Sequence, residues 1–120
     1  MPAMRLRAEF WVKGYIRRCA IEGASAVVVR HGDDAAGAIF IKVDRLDGSC
    51  LVFGPAPAGL DGAESDRRWI APLGPAVVDI AKADEFLARE ARFDTDLWII
   101  EVEDRRGRHF LDDSLVTASD

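Results

Sequence analysis

Two segments of this chain share one pattern, and that pattern restricts the fold more than any other feature. The first is Ala38-Ile-Phe-Ile-Lys-Val-Asp-Arg-Leu-Asp-Gly-Ser-Cys-Leu-Val-Phe53; the second is Leu97-Trp-Ile-Ile-Glu-Val-Glu-Asp-Arg-Arg-Gly-Arg-His-Phe-Leu111. Each is a run of β-formers, a charged turn containing glycine, and a second run, which is the signature of a β-hairpin. Hairpins need no crossover helix, so they build antiparallel sheet. In the first, Asp47-Gly48 reads as a two-residue turn. That turn sets Ile39, Ile41 and Val43 on one face and Phe40, Lys42 and Asp44 on the other. It also puts Cys50 on the Val43/Val52 face and leaves Phe40, Leu51 and Phe53 as an outward patch.

The remaining segments supply a layer to cover the sheet. Ala8–Glu22 reads as a helix with Val12, Ile16 and Cys19 on one stripe and Ala20 alongside, stopped by Gly23. Gly14 inside it costs about 1 kcal/mol relative to alanine, and the Leu6/Ala8/Phe10/Val12 alternation offers a rival strand. Ser25–His31, with Val27-Val28-Val29, is a strand. With Ala38–Arg45 and Ser49–Phe53 it predicts a three-stranded meander. Gly54-Pro-Ala-Pro cannot continue a ladder, because proline has no amide donor, so 54–68 reads as a surface loop. Trp69–Leu73 is a short fourth strand, and Asp79–Arg92 is a second helix burying Ala83, Phe86, Leu87 and Phe93. The expected fold is one α+β domain over 1–120, order α-β-β-β-(β)-α-β-β. It has a mainly antiparallel sheet, both helices on one face and a frayed tail over 114–120. The expected core is Val12, Ile16, Val27, Val29, Ile39, Ile41, Val43, Val52, Phe86, Leu87, Trp98, Ile100 and Val102.

Charge narrows the function classes. Hydrophobic residues make up 49% and charged residues 31% of the 120, with a net charge of −5, which disfavours a dedicated nucleic-acid binder. Residues 1–31 carry six basic side chains against two acidic ones, and residues 94–120 three against eight. Segments of opposite sign in one domain should meet, so Arg17 or Arg18 is expected beside a carboxylate of the C-terminal end. No apolar run approaches the roughly 20 residues of a membrane span, and the first residues carry no apolar signal core. Cys19 and Cys50 form no CxxC and read as reduced, packed thiols. Together these features point to the cytoplasm.

Two sets of residues are candidates for chemistry. Glu101 and Glu103 share one strand face, and His109, Asp112 and Asp113 lie across the turn; carboxylates with one imidazole could hold a divalent metal for phosphoester hydrolysis. Register argues against it. An even-numbered turn puts His109 on the Ile100/Val102 face, away from both glutamates, and an odd one reverses this. The alternative for the acidic set is a solvated face with Glu–Arg cross-strand pairs. The second set is Arg5, Arg7, Lys13, Arg17 and Arg18 with Trp11 and Tyr15 interleaved, which suits phosphate contact and base stacking or equally a plain helix exterior. There is no GxGxxG, GxxxxGK[ST] or GxSxG, so no nucleotide cradle or nucleophile elbow is signalled and no cofactor is implied.

Several ordered segments have a familial look: Glu9-Phe-Trp-Val, Ile16-Arg-Arg, Val27-Val-Val-Arg-His-Gly-Asp, Gly37-Ala-Ile-Phe-Ile-Lys-Val, Phe53-Gly-Pro-Ala-Pro, Phe93-Asp-Thr-Asp-Leu-Trp and Glu101-Val-Glu-Asp-Arg. Together they resemble bacterial domain-of-unknown-function family 1491, small proteins of about this length, over nearly the whole chain. The resemblance implies a stand-alone bacterial cytoplasmic domain and brings no catalytic or ligand-binding residue to place here. With no nucleophile, metal or phosphate signature at usable spacing, the expected role is a non-catalytic interaction or regulatory module. Its partner would be an unidentified protein or a second copy, met through a sheet edge or the Phe40/Leu51/Phe53 patch.

Overall fold

The computed structural model describes residues 6–57, 67–112 and 115. Its elements are α1 (Ala8–Ile21), β1 (Ser25–Arg30), β2 (Ile39–Asp44), β3 (Ser49–Pro55), β4 (Trp69–Ile70), β5 (Val78–Asp79), α2 (Ile80–Phe93) and β6 (Trp98–Glu103). The class is α+β, with a mainly antiparallel sheet as expected. The strand order is β1-β6-β2-β3-β4, with β5 paired to β3 and one parallel pair, β2 with β6. Residues 8–21 are helical, which removes the rival strand. No side chain caps α1; instead the N–H groups of Ala8 and Glu9 donate to the carbonyls of Ala35 and Asp34, which satisfies two of the amides a helix start leaves open.

The meander does not form, because β6 inserts between β1 and β2. The 32–37 turn is shaped for this insertion. Asp33 N–H donates to the Asp96 carbonyl at 2.8 Å, and Trp98 Nε1–H donates to the Asp33 carbonyl at 2.9 Å. A Cβ on Gly32 or Gly37 would overlap the Asp96 carbonyl oxygen. Only glycine lets the entry to β6 pass this close. The insertion also undoes the second hairpin. β6 already has β1 on one edge and β2 on the other, so residues 108–111 have no edge to pair with. They fold back over α1 instead, where Tyr15 Oη–H donates to the His109 carbonyl at 2.7 Å and Arg18 Nη1–H to the Phe110 carbonyl at 3.0 Å.

The first hairpin forms, but its loop is one residue longer than the Asp47-Gly48 turn. Arg45 N–H donates to the Ser49 carbonyl, leaving Leu46-Asp47-Gly48 as the loop. Leu46 (φ 63) and Gly48 (φ 89) are left-handed, and the Asp44 and Asp47 carboxylates accept from the amides of Leu46 and Ser49. Val43 therefore faces Leu51, not Val52. The change of parity sends Leu51 and Phe53 inward with Ile41 and Val43, and Cys50 and Val52 to the opposite face with Phe40. The outward Phe40/Leu51/Phe53 patch does not exist: Phe40 and Phe53 are buried on opposite sides of the sheet.

The helices also lie on opposite faces rather than one. Ala8, Val12, Tyr15 and Cys19 of α1 pack on Ile39, Ile41, Val43, Trp98, Ile100 and Val102, while Ala83 and Leu87 of α2 pack on Phe40, Cys50, Val52 and Leu97. The reason is that both sides of the sheet carry apolar groups: Ile39, Ile41, Val43, Trp98, Ile100 and Val102 on one, and Phe40, Cys50, Val52 and Leu97 on the other, so each side needs a layer. Tyr15 replaces Ile16 in the α1 stripe, Ile16 and Phe86 are only partly buried, Ala20 is exposed and Phe93 is 83% exposed. Val27 and Val29 leave the expected core altogether, because β1 is an edge strand. β3 continues through Gly54 and Pro55, which pair with Ile70 and Trp69 of the short β4. Proline is tolerated beside so short an outer strand. Of the tail expected to fray, only Leu115 is described, and it bridges to Trp69.

Candidate functional site

On the α2 side, α2 lies over β2, β3 and β5 and leaves β6 and β1 uncovered. Between α2 and β1 runs a trough of about 250 Å³, with Ile99 and Glu101 on its floor, Val29 on one wall, and Leu87 and Ala88 on the other. Lys42 sits at its inner margin. The side chain is 11% exposed, and Nζ donates to Asp84 Oδ1 at 2.7 Å and lies 3.1 Å from Glu101 Oε2. Burial works against the ammonium charge, but the hydrogen bonds to Asp84 and Glu101 outweigh it and hold the pKa above the ordinary value. Lys42 is therefore a charged anchor between two strands and a helix, not a free amine base.

A second cleft, about 510 Å³, opens between the C-terminal end of α1 and residues 106–112. Its Arg108 wall is held by the buried Asp104, which accepts from Arg108 N–H at 2.8 Å, Nε–H at 3.0 Å and Nη2–H at 2.8 Å. Those hydrogen bonds hold the Asp104 carboxyl below its usual range despite burial. Phe110 (φ 60) and Asp112 (φ 51) are left-handed, a conformation non-glycine residues hold only when their surroundings impose it. Here the Arg18 and Tyr15 bonds to the 109–110 carbonyls impose it. His109 Nδ1 accepts from Leu111 N–H at 2.8 Å, and its ring meets Phe53 edge-on at 5.1 Å; burial lowers its pKa. Burial likewise raises the Tyr15 hydroxyl and the Cys19 and Cys50 thiols, so all three stay protonated at neutral pH.

These placements separate the carboxylate–imidazole set. Glu101 points to Lys42 on the α2 side, and Glu103 is exposed two residues further along that face. His109 packs on Phe53 in the α1-side core, and Asp112, 79% exposed, lies 3.7 Å from Arg18. Asp113 is outside the described residues. Among the described residues no three His, Cys, Asp or Glu gather as metal ligands. The basic set is dispersed too. Arg7 pairs with Glu9 at 3.3 Å, Trp11 stacks on Tyr15 and leans on Trp69, Lys13 sits over the Phe10 ring, and Arg17 is exposed; Arg5 is outside the described residues. The expected meeting of basic and acidic ends is present at Arg18 and Asp112. Sequence reasoning missed the Lys42–Asp84–Glu101 cluster, although a lysine at the centre of an apolar strand was the signal for it. It also missed Asp104–Arg108, whose signal is an acid and an arginine flanking a glycine turn.

Comparisons with known proteins agree with this architecture. A crystal structure of a DUF1491 family protein from Caulobacter crescentus is similar at 38% identity with a TM-score of 0.77, covering 94% of this chain and 99% of that one. An NMR structure of a DUF1491 family protein from the same organism gives 38% identity and 0.77 over 95% and 99%. The solution structure of protein Atu0922 from A. tumefaciens gives 38% identity and 0.72 over 83% and 86%. A search of curated proteins found no match. No helix among the described residues is long and apolar enough to cross a membrane. The family described as protein of unknown function (DUF1491) matches residues 6–112, and the chain belongs to that family.

Proposed function

We propose that this protein is a non-catalytic interaction module, a single bacterial cytoplasmic domain whose contact surface is β1 and the uncovered sheet beside it. One observation carries the reading. Val27, Val28 and Val29 are 51%, 39% and 59% exposed on an edge strand with neither lysine nor proline in it. Soluble proteins blunt such edges with charge, proline or a bulge. Here the bulge between Val28 and Arg30 and the charge of Arg30 both fall at the C-terminal end of the strand, which leaves Ser25–Val28 as a straight template for a partner. The titratable groups support the same view: Lys42 is committed to Asp84 and Glu101, Asp104 to Arg108, and the thiols stay protonated.

The test is site-specific photo-crosslinking in the native cytoplasm. A photoreactive residue at Val28 or Val29 should give discrete adducts, and one at Lys82, exposed on the far side of α2, should give none. Adducts no stronger at β1 than at Lys82 would refute the assignment.

A further inference from the structure

The trough on the α2 side lies where a second helix would pack beside α2, and the chain carries a helix face that matches it. Strands in a sheet lie about 4.8 Å apart, so the β6/β1 pair is displaced from the ground under α2 by roughly two strand spacings, close to the 8–10 Å at which helices pack side by side. The trough is apolar along Val29, Leu87, Ala88 and Ile99, and at its inner margin Asp84 and Glu101 outnumber the single Lys42. It therefore fits a helix with an apolar stripe broken by one basic residue.

The outer face of α1 has that composition. Phe10, Gly14, Arg17 and Ile21 recur at i, i+4, i+7 and i+11, a single helical stripe. Phe10 is 49% and Ile21 76% exposed, and Arg17 is exposed and makes no ion pair among the described residues. Gly14 is the telling residue. A Cβ there would meet nothing within 4 Å, so packing among the described residues does not require glycine, although glycine weakens the helix. The missing side chain leaves a notch of about 150 Å³ over Gly14, bordered by Leu6, Phe10 and Trp11. A notch that no described residue fills lets a second backbone or an apolar knob approach closely.

We propose that the α2-side trough of one molecule receives the outer face of α1 from a second copy, with Arg17 brought to the Asp84 and Glu101 carboxylates. The inference rests on the interaction-module reading and names its partner. The two surfaces lie on opposite faces of the sheet, so they cannot meet within one chain or in a two-fold dimer that uses both. The contact is head to tail and propagates beyond a dimer.

The test is analytical ultracentrifugation of the full chain from micromolar to millimolar concentration with two variants. Gly14→Gln fills the notch while favouring the helix, so it should raise thermal stability and abolish association. Ala88→Arg, at an exposed helix position, fills the trough and should also give a monomer. An equimolar mixture of the two retains one intact trough and one intact α1 face, so it should form a dimer and stop there, whereas wild type continues past it. A wild-type chain that stays monomeric, either variant associating alone, or a mixture that stays monomeric overturns the proposal. If wild type stays monomeric but β1 crosslinks persist, the module reading stands and the named occupant is wrong.

Discussion

The Lys42 cluster predicts an inverted pattern of mutational cost. At an effective dielectric of about 20, unit charges at these separations attract by roughly 5–6 kcal/mol per pair, and the desolvation of a buried ion is several kcal/mol in the opposite direction. The net contribution of the intact cluster is therefore small. What matters is which charge a substitution strands. Lys42 is 11% exposed, whereas Glu101 is 29% and Asp84 57% exposed, so the carboxylates can turn to water and the ammonium cannot. Lys42→Met keeps the length of the side chain and frees two wettable carboxylates, and should change stability by less than about 1 kcal/mol. The double variant Asp84→Asn/Glu101→Gln keeps shape and acceptors but strands the ammonium, and should lose about 2–4 kcal/mol, the lower part of the range for an orphaned buried ion because Asp84 is half wet. Urea unfolding followed by the fluorescence of Trp11, Trp69 and Trp98 gives both values. The double variant should recover part of its loss at alkaline pH, where a stranded Lys42 can shed its proton. A Lys42→Met loss larger than that of the double variant would refute the reasoning.

Three further outcomes follow from named residues. Ile41, fully buried between β6 and β3, should cost about 3–5 kcal/mol on Ile41→Ala; a urea midpoint shift worth under about 2 kcal/mol would place it at the periphery. Leu46→Gly relieves a left-handed leucine that is 42% exposed and should stabilise the fold by up to about 1 kcal/mol in calorimetry; a loss would mean that its side chain packs more than its exposure indicates. Burial holds His109 below its usual pKa, so the folded chain binds fewer protons than the unfolded one. Its contribution is complete above about pH 6.5 and is lost as pH falls through the lowered value. Between about pH 7 and pH 5 wild type should therefore lose more stability than His109→Gln, and equal losses would refute this.

The sequence made individual strands and helices legible because each follows from local periodicity. Ala8–Ile21, Ser25–Arg30, Ile39–Asp44 and Ile80–Phe93 lie within a residue or two of the spans expected. Two non-local facts were not legible. One is the loop parity at Leu46-Asp47-Gly48, where the Asp44 carboxylate competes for a turn amide and changes which of Cys50, Leu51, Val52 and Phe53 face each side. The other is the insertion of β6 between β1 and β2, which depends on Gly32 and Gly37 passing against Asp96 and which no pairwise pattern reports. Of the candidate residues, Arg18 met an acidic partner as charge segregation suggested. The carboxylates and His109 ended on opposite faces, as an even-numbered register would place them, although the second run of that hairpin never joins the sheet.

The β6 insertion also explains why an apolar surface is left over. Placing β6 beside β2 makes two strands central and buries the α1-side residues of both, and it moves β1 outward to an edge. The chain then has three strands of width beside β1 but only one helix for the α2 side, and α2 is held over β2 by the Lys42–Asp84 bond. Sliding α2 toward β1 would cover Val27 and Val29 but would break that bond and uncover Phe40, Cys50 and Val52. The same ion cluster that adds little net stability thus fixes where the helix stands, and so fixes which half of the sheet remains open. A change at Lys42 that is nearly silent in unfolding should therefore still alter the interaction surface, since the helix that forms one wall of the trough would lose its anchor to the strand beneath it.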